Sequence, residues 1–375
     1  MLRFDYQRHT LRFTFAAGTS RGVLTEKDTY FLRIFDEKTP ETQGWGECST
    51  LAGLSVDHTP DYEAVLGNFC KIFNRKNFGS NAAMKALEAI PQLIPNAYPS
   101  VVFGFEAALL DLANGGRRVL FDTPFAQGEA GIAINGLVWM GEPAFMKSQM
   151  DDKLAQGYTT LKLKIGAIDF AQECALLAYV RAHFPPERIT LRVDANGAFR
   201  PDEAMEKLEK LAEFGLHSIE QPIAAGQWTA SRELCARSPV PVALDEELIG
   251  VTERTDKVRL LETIRPPFVI LKPSLLGGFA HCREWIELAE ERRIGWWMTS
   301  ALESNVGLNA IAQFTATLGS PLPQGLGTGQ LYHNNVPSPL EIRNGFLHYS
   351  PVKSWVLSLG QKMSEPARLP DGQAG

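Results

Sequence analysis

The chain has 375 residues, 45% of them apolar and 21% charged, with a net charge of −6. That length is long for a single core, so two domains are the natural expectation, and the interspersed, mildly acidic charge excludes a nucleic-acid scaffold, which would carry a basic patch. Five scattered cysteines (Cys48, Cys70, Cys174, Cys235 and Cys282) form no C-x-x-C pair, which favours reduced thiols over a disulfide frame or zinc site. With no signal-peptide pattern and no run long enough to span a bilayer, a soluble cytoplasmic protein is expected.

Residues 1–125 carry no regular repeat and read as an α+β unit of their own. Stretches 2–15 and 30–35 are strand-like, joined through Gly18–Gly22. Helices are predicted over 60–73, 81–94 and 100–112, the last stopping near Gly115 and Gly116. From about residue 126 to 335 strands and helices alternate. Strand candidates fall at 131–137, 160–164, 189–194, 218–220, 242–245, 268–272, 295–300 and near 325, with helices such as 169–184, 201–214, 278–293 and 305–318 between them. The strands are near-continuous apolar runs, as expected when both faces are buried. The fold class is therefore α/β, a modified TIM-type (β/α)7β barrel with an N-terminal α+β capping domain. Residues 336–375 lose the period; 337–356 are expected to return to the N-terminal unit and 360–375 to be mobile.

Charges punctuate the barrel period. Lys162 and Lys164 lie in one strand, and the strands that follow end in Asp194, Glu220, Asp245 and Lys272, at steps of 30, 26, 25 and 27 from Lys164 onward. One βα unit takes about 30 residues, so these side chains gather at the carboxyl-terminal face, where such barrels keep their chemistry. Residues two apart on a strand point the same way, which sends both lysines of the doublet inward, where an unused lysine is costly. A second lysine and a nearby cation both disfavour a protonated neighbour, so the doublet supplies a base and a means of lowering its pKa. Three carboxylates without Cys or His favour Mg²⁺, with Mn²⁺ a close substitute. Asn196 and Glu246 are placed to support those ligands. Lys272 could serve as a second base, an acid or a fixed positive charge, or only as an ion-pair partner.

Other motifs carry less. Gly18-Thr-Ser-Arg-Gly22 matches G-x-S-x-G, but a strand rather than a helix follows it, so it reads as a loop able to cover a barrel mouth. Thr299 to Glu303 could line a pocket, with Glu303 capping the next helix. The glycine-rich run at 325–329 sits where barrels bind anions. Ser300, Gly325, Gly327 and Thr328 are accordingly candidate contacts for a small carboxylate substrate. A homo-oligomer is compatible with all of this.

The lysine doublet, the Asp194/Glu220/Asp245 trio and Lys272, preceded by Gly44-Trp-Gly-Glu47 and Phe103-Gly-Phe-Glu-Ala-Ala-Leu-Leu-Asp111, resemble the enolase superfamily over nearly the whole chain. A lysine rather than a histidine at position 272 is similar to its muconate-lactonizing branch. Ser300 to Gly307 and Pro323 to Gln330 look most like the o-succinylbenzoate synthases of menaquinone biosynthesis. By that resemblance Asp194, Glu220 and Asp245 bind Mg²⁺, Lys164 takes the proton α to a carboxylate and returns it to departing hydroxide on the same face, Lys162 tunes Lys164 and binds the carboxylate, and Lys272 stabilises the enolate from the other side. The same constellation also implies N-succinylamino-acid racemase or dipeptide epimerase chemistry, with Lys164 and Lys272 as two bases. A non-catalytic binding barrel would have lost a member of the set, and all six are present. Asp245-Glu-Glu departs from the branch's frequent Asp-Glu-Ser at a position that is not a ligand.

Overall fold

The computed structural model describes residues 1–19 and 22–357; Ser20, Arg21 and the stretch expected to be mobile, 360–375, lie outside them. Strands β1 (Leu2–Thr19) and β2 (Gly22–Asp36) form one long antiparallel hairpin, in register from Leu2↔Asp36 to Thr19↔Gly22 with an irregularity between Arg12 and Ala17. A third strand, β3 (Thr39–Ser49), pairs with β2 and is absent from the sequence expectation. Four helices follow: α1 (Tyr62–Asn74), α2 (Ala82–Glu88), α3 (Ile90–Leu93) and α4 (Pro99–Ala113). The single helix expected over 81–94 is thus two, because Pro91 has no N–H to continue the ladder and instead opens the second helix. Helix α4 lies directly on β3: a Cβ on Gly44 would stand 2.0 Å from the Ala108 carbonyl oxygen, and one on Gly46 2.0 Å from that of Gly104. Phe4, Phe73 and Phe105 stack at the centre of this unit's own core, with centroids 4.9–5.7 Å apart.

The stretch expected as one strand at 131–137 is divided. Strand β4 (Ile132–Ala133) leaves the barrel, and only β5 (Gly136–Val138) enters it. Helix α5 (Pro143–Ala155) leads to β6 (Thr160–Lys164), and then α6 (Phe170–His183), β7 (Thr190–Asp194), α7 (Pro201–Ala212), β8 (Ser218–Glu220), α8 (Trp228–Arg237) and β9 (Val242–Leu244) alternate. They are followed by α9 (Arg254–Ile264), β10 (Phe268–Leu271), α10 (Pro273–Leu276), α11 (Gly278–Glu291), β11 (Gly295–Met298) and α12 (Asn305–Ala316). Strands β5 to β11 form one parallel sheet in sequence order. The ring closes through Gln324 and Gly325: Gln324 bridges to Ile134 beside β5, and Gly325 bridges to Thr299 just past β11. The short strand expected near 325 is therefore this pair of bridges.

Inside the ring, Ala243, Ile270 and Trp297 form the floor. The Arg192 guanidinium lies 4.1 Å from the Trp297 ring centroid. Strands β12 (Leu340–Arg343) and β13 (Phe346–Tyr349) form a hairpin whose second strand pairs with β4. The flanking residues Val336, Trp355 and Leu357 pack in one cluster with Phe31 and Trp45 of the N-terminal unit. Among the described residues no helix is long and apolar enough to cross a membrane, and all five cysteines are free.

Candidate active site

Register brings the strand-end charges together. Lys164 stands beside Asp194, and Asp194 beside Glu220. Because Glu220 pairs with Ala243, Asp245 lies two residues further along β9's direction, on the same face. Lys272 follows β10 directly. Burial is nearly complete: Asp194, Glu220 and Asp245 are at most 2% exposed, Lys162 6% and Lys272 9%.

Each acid faces an ammonium. Lys162 Nζ donates to Glu220 and lies 3.0 Å from Asp194 Oδ2. Lys164 Nζ donates to the same Asp194 oxygen at 3.0 Å and to Asn196 Oδ1 at 2.8 Å. Lys272 Nζ donates to Asp245, with Glu220 Oε1 4.0 Å away. The Asn196 backbone N–H caps Asp194 Oδ1 at 2.9 Å, and its side-chain amide donates to Glu246 Oε1 at 3.1 Å. Asn196 takes a left-handed conformation (φ 45°) just before Gly197, and that turn lets backbone and side chain serve Asp194, Lys164 and Glu246 together.

The electrostatics follow from this packing. Burial alone would strip the proton from Lys162, but Asp194 and Glu220 outweigh it and hold its pKa above the usual lysine value. Lys272 is also held high, its burial more than offset by Asp245 and Glu220. Asp194, despite its burial, is held far below the ordinary carboxylate range by Lys162 and Lys164. Glu220 is raised well above it, by burial and by the adjoining charge of Asp194.

A divalent cation fits this chemistry. Among the described residues no three acid, thiol or imidazole groups converge into a ready-made cage, since lysines are interleaved with the acids. The donor set is nevertheless three hard carboxylates, as Mg²⁺ prefers. Buried Glu220 Oε1 has no hydrogen-bond partner, and its carboxyl is the one most in need of further positive charge.

Above the array is a cavity of about 260 Å³. Lys162, Lys164, Asp194, Asn196 and Lys272 line one side of it, and Ser300, Gly325, Gly327 and Thr328 another. The Ser300 and Thr328 hydroxyls are 2.6 Å apart, and Gly325 is tight enough that a Cβ would lie 2.2 Å from Thr299 Oγ1. The hairpin tip (Gly22, Val23, Leu24) and the loop after β3 (Leu51, Ala52, Leu54) complete the lining. Glu303 does not cap α12: Ser304 does, accepting from Val306 N, while Glu303 accepts from Ser274 Oγ and Ala301 N. Sequence reasoning missed Asn135 and Trp139. Both line the cavity; Asn135 directly precedes the first barrel strand and Trp139 directly follows it, and the place of Trp139 at that strand's carboxyl end was the signal that could have found it.

A family model described as enolase C-terminal domain-like matches residues 146–352. An o-succinylbenzoate synthase of Desulfotalea psychrophila is 47% identical over 369 residues, which span 93% of this chain and 99% of the relative. The crystal structure of MenC from the same organism superposes with a TM-score of 0.82 at 44% identity, covering 92% of this chain and 99% of that one. An N-succinylamino acid racemase of an Amycolatopsis species is 24% identical, over 88% of this chain and 87% of its own. The chain belongs to the enolase superfamily, as an enzyme similar to the o-succinylbenzoate synthases.

Proposed function

We propose that this enzyme is a Mg²⁺-dependent carbon–oxygen lyase that dehydrates 2-succinyl-6-hydroxy-2,4-cyclohexadiene-1-carboxylate to o-succinylbenzoate, a step of menaquinone biosynthesis. The observation that carries this reading is the near-full-length likeness to an o-succinylbenzoate synthase at 47% identity, against 24% for the racemase.

Asp194, Glu220 and Asp245 would hold the cation, which when bound supplies Lewis-acid attraction for the substrate carboxylate and for the charge that develops on it. Lys164 takes the proton from C1, breaking the C–H bond α to that carboxylate. It then gives the proton to hydroxide departing from C6 on the same face, so that water leaves and the ring becomes aromatic. One lysine serves as base and then acid because both events occur on its side. Asn196, bonded to Lys164 Nζ, fixes the lysine's direction. Lys162, held protonated by Asp194 and Glu220, donates to the substrate carboxylate. Lys272, held protonated by Asp245, stabilises the enediolate from across the cavity, where fixed charge is most effective in a site shielded from water.

Lys164 and Lys272 both line the cavity, which supports racemase or epimerase chemistry as a second reading. The test supplies purified protein and Mg²⁺ with the cyclohexadiene precursor, following loss of its absorbance. In parallel, N-succinylamino acids and dipeptides are incubated in D₂O and α-deuterium incorporation is measured. Rapid loss of the precursor is expected; α-exchange without dehydration would replace the reading with a racemase or epimerase.

A further inference from the structure

The N-terminal hairpin tip lines the cavity at Gly22, Val23 and Leu24. Three residues later the same strand sends Lys27 into the seam between the two units, where it is 8% exposed. Its Nζ donates to Ser49 Oγ at 2.6 Å, to the Leu302 carbonyl at 2.9 Å and to the Ala301 carbonyl at 3.4 Å. Ala301 and Leu302 belong to the loop after β11 and line the same cavity as the hairpin tip.

Leu302 is held in a conformation a leucine rarely adopts, with φ 63°. Two donors meet on its carbonyl: Lys27 from the hairpin and, at 2.7 Å, the Tyr332 hydroxyl. The next residue, Glu303, accepts from Ala301 N at 2.7 Å and from Ser274 Oγ, two residues beyond Lys272. Burial pulls the Lys27 pKa down, and the charges of Glu303 and Glu47 oppose that pull. A buried lysine bonded to a left-handed backbone turn, both on the pocket's edge, is costly unless the turn must be held in that shape.

We propose that Lys27 is a positioning residue that registers the hairpin on the loop after β11, and so sets the pocket wall at Ala301 and Leu302 against which the substrate's side chain rests. The proposal rests on the dehydratase reading for its substrate, but not for its geometry. Lys27 donates to none of the barrel-mouth lysines' partners, so its loss weakens substrate binding more than chemistry.

The test compares wild type, Lys27→Met and Tyr332→Phe in steady-state turnover of the precursor, with hydrogen exchange of the Ala301 amide measured on the same proteins. Removing a charge-assisted bond is worth on the order of tenfold or more. Lys27→Met is expected to raise KM at least about tenfold with kcat within about threefold, and to speed exchange at Ala301. Tyr332→Phe, which strands no charge, is expected to raise KM about threefold in the same direction, and it decides the question alone if Lys27→Met does not fold. An unchanged KM with unchanged exchange, or a fall in kcat at constant KM, overturns the proposal. Absence of wild-type turnover would instead defeat the dehydratase reading, and the exchange measurement would still decide the role of Lys27.

Discussion

The barrel mouth and the seam between the two units both bury charged side chains, and they satisfy them in opposite ways. In the seam, Glu47 accepts from Thr29 Oγ1 at 2.7 Å, Ser304 N at 2.9 Å, Ser304 Oγ at 2.5 Å and Gly307 N at 2.8 Å. Glu106 likewise accepts from Phe279 N across the seam. Backbone amides and hydroxyls that cannot titrate or leave meet these carboxylates, which makes the seam a fixed joint. At the mouth, charge meets charge: three lysines face three acids, and Glu220 Oε1 is left without a hydrogen-bond partner. Buried charge matched by neutral dipoles holds structure, whereas buried charge matched by other titratable groups beside a cavity is poised for proton transfer.

The sharpest way to break this contrast is to remove a mouth charge and look for a loss of chemistry without a loss of fold. Lys164→Ala should lower kcat by at least about 10³-fold, within the range for a general acid–base group, while its melting temperature stays close to wild type. A comparable fall in melting temperature would make Lys164 a structural ion-pair member instead.

A seam charge should do the reverse. Glu106 of α4 accepts from Phe279 N at the start of α11, and burial pushes its pKa up to about 7. Between its unfolded value near 4.5 and about 7, the unfolded chain releases this proton while the folded chain keeps it. Stability therefore falls as pH rises through that window and is level above it. Glu106→Gln should abolish that slope and gain up to about 3 kcal/mol relative to wild type at pH 8, with kcat unchanged. Urea unfolding of both proteins from pH 4 to 8 measures it; parallel curves would show that Glu106 does not titrate there.

Metal linkage separates the regions next. At about 100 times its dissociation constant Mg²⁺ should stabilise the wild type by about 2.7 kcal/mol, and Glu220→Gln should lose most of that gain. Thermal melts with and without Mg²⁺ test this, and an undiminished gain in the variant would remove Glu220 from the cation site. The smallest effect belongs to neither region. Asp169 caps α6 on the barrel's outside, accepting from Ala171 N and Gln172 N at 3.1 and 3.3 Å. Asp169→Ala should cost about 1 kcal/mol in denaturant unfolding and leave kcat alone.

The same contrast explains what could be read from the sequence. Lys164, Asp194, Glu220, Asp245 and Lys272 were legible because each ends a strand and the βα repeat spaces them regularly, so local pattern alone placed them on one face. Lys27 and Glu47 were not, because their partners Ala301 and Ser304 lie 274 and 257 residues away and no period links them. Strand β3 escaped for a related reason. Its first half, Thr39-Pro-Glu-Thr-Gln43, is polar, and it is a strand because β2 pairs with it and because Gly44 and Gly46 let α4 approach. The first barrel strand was misread as continuous, because an apolar run does not show that Ile132 and Ala133 pair with a hairpin from the far end of the chain.

The central claim is that Lys164, supported by its acid and amide neighbours and a divalent cation, moves the proton in a dehydration that makes an aromatic ring. Its most direct test is appearance of the aromatic product by proton NMR in wild type and Lys164→Ala, each with Mg²⁺ present and then withdrawn by chelation. Product should form only in the wild type with Mg²⁺, and return when the metal is restored. Product formation by Lys164→Ala at a wild-type rate, or by the wild type after chelation, would contradict the account.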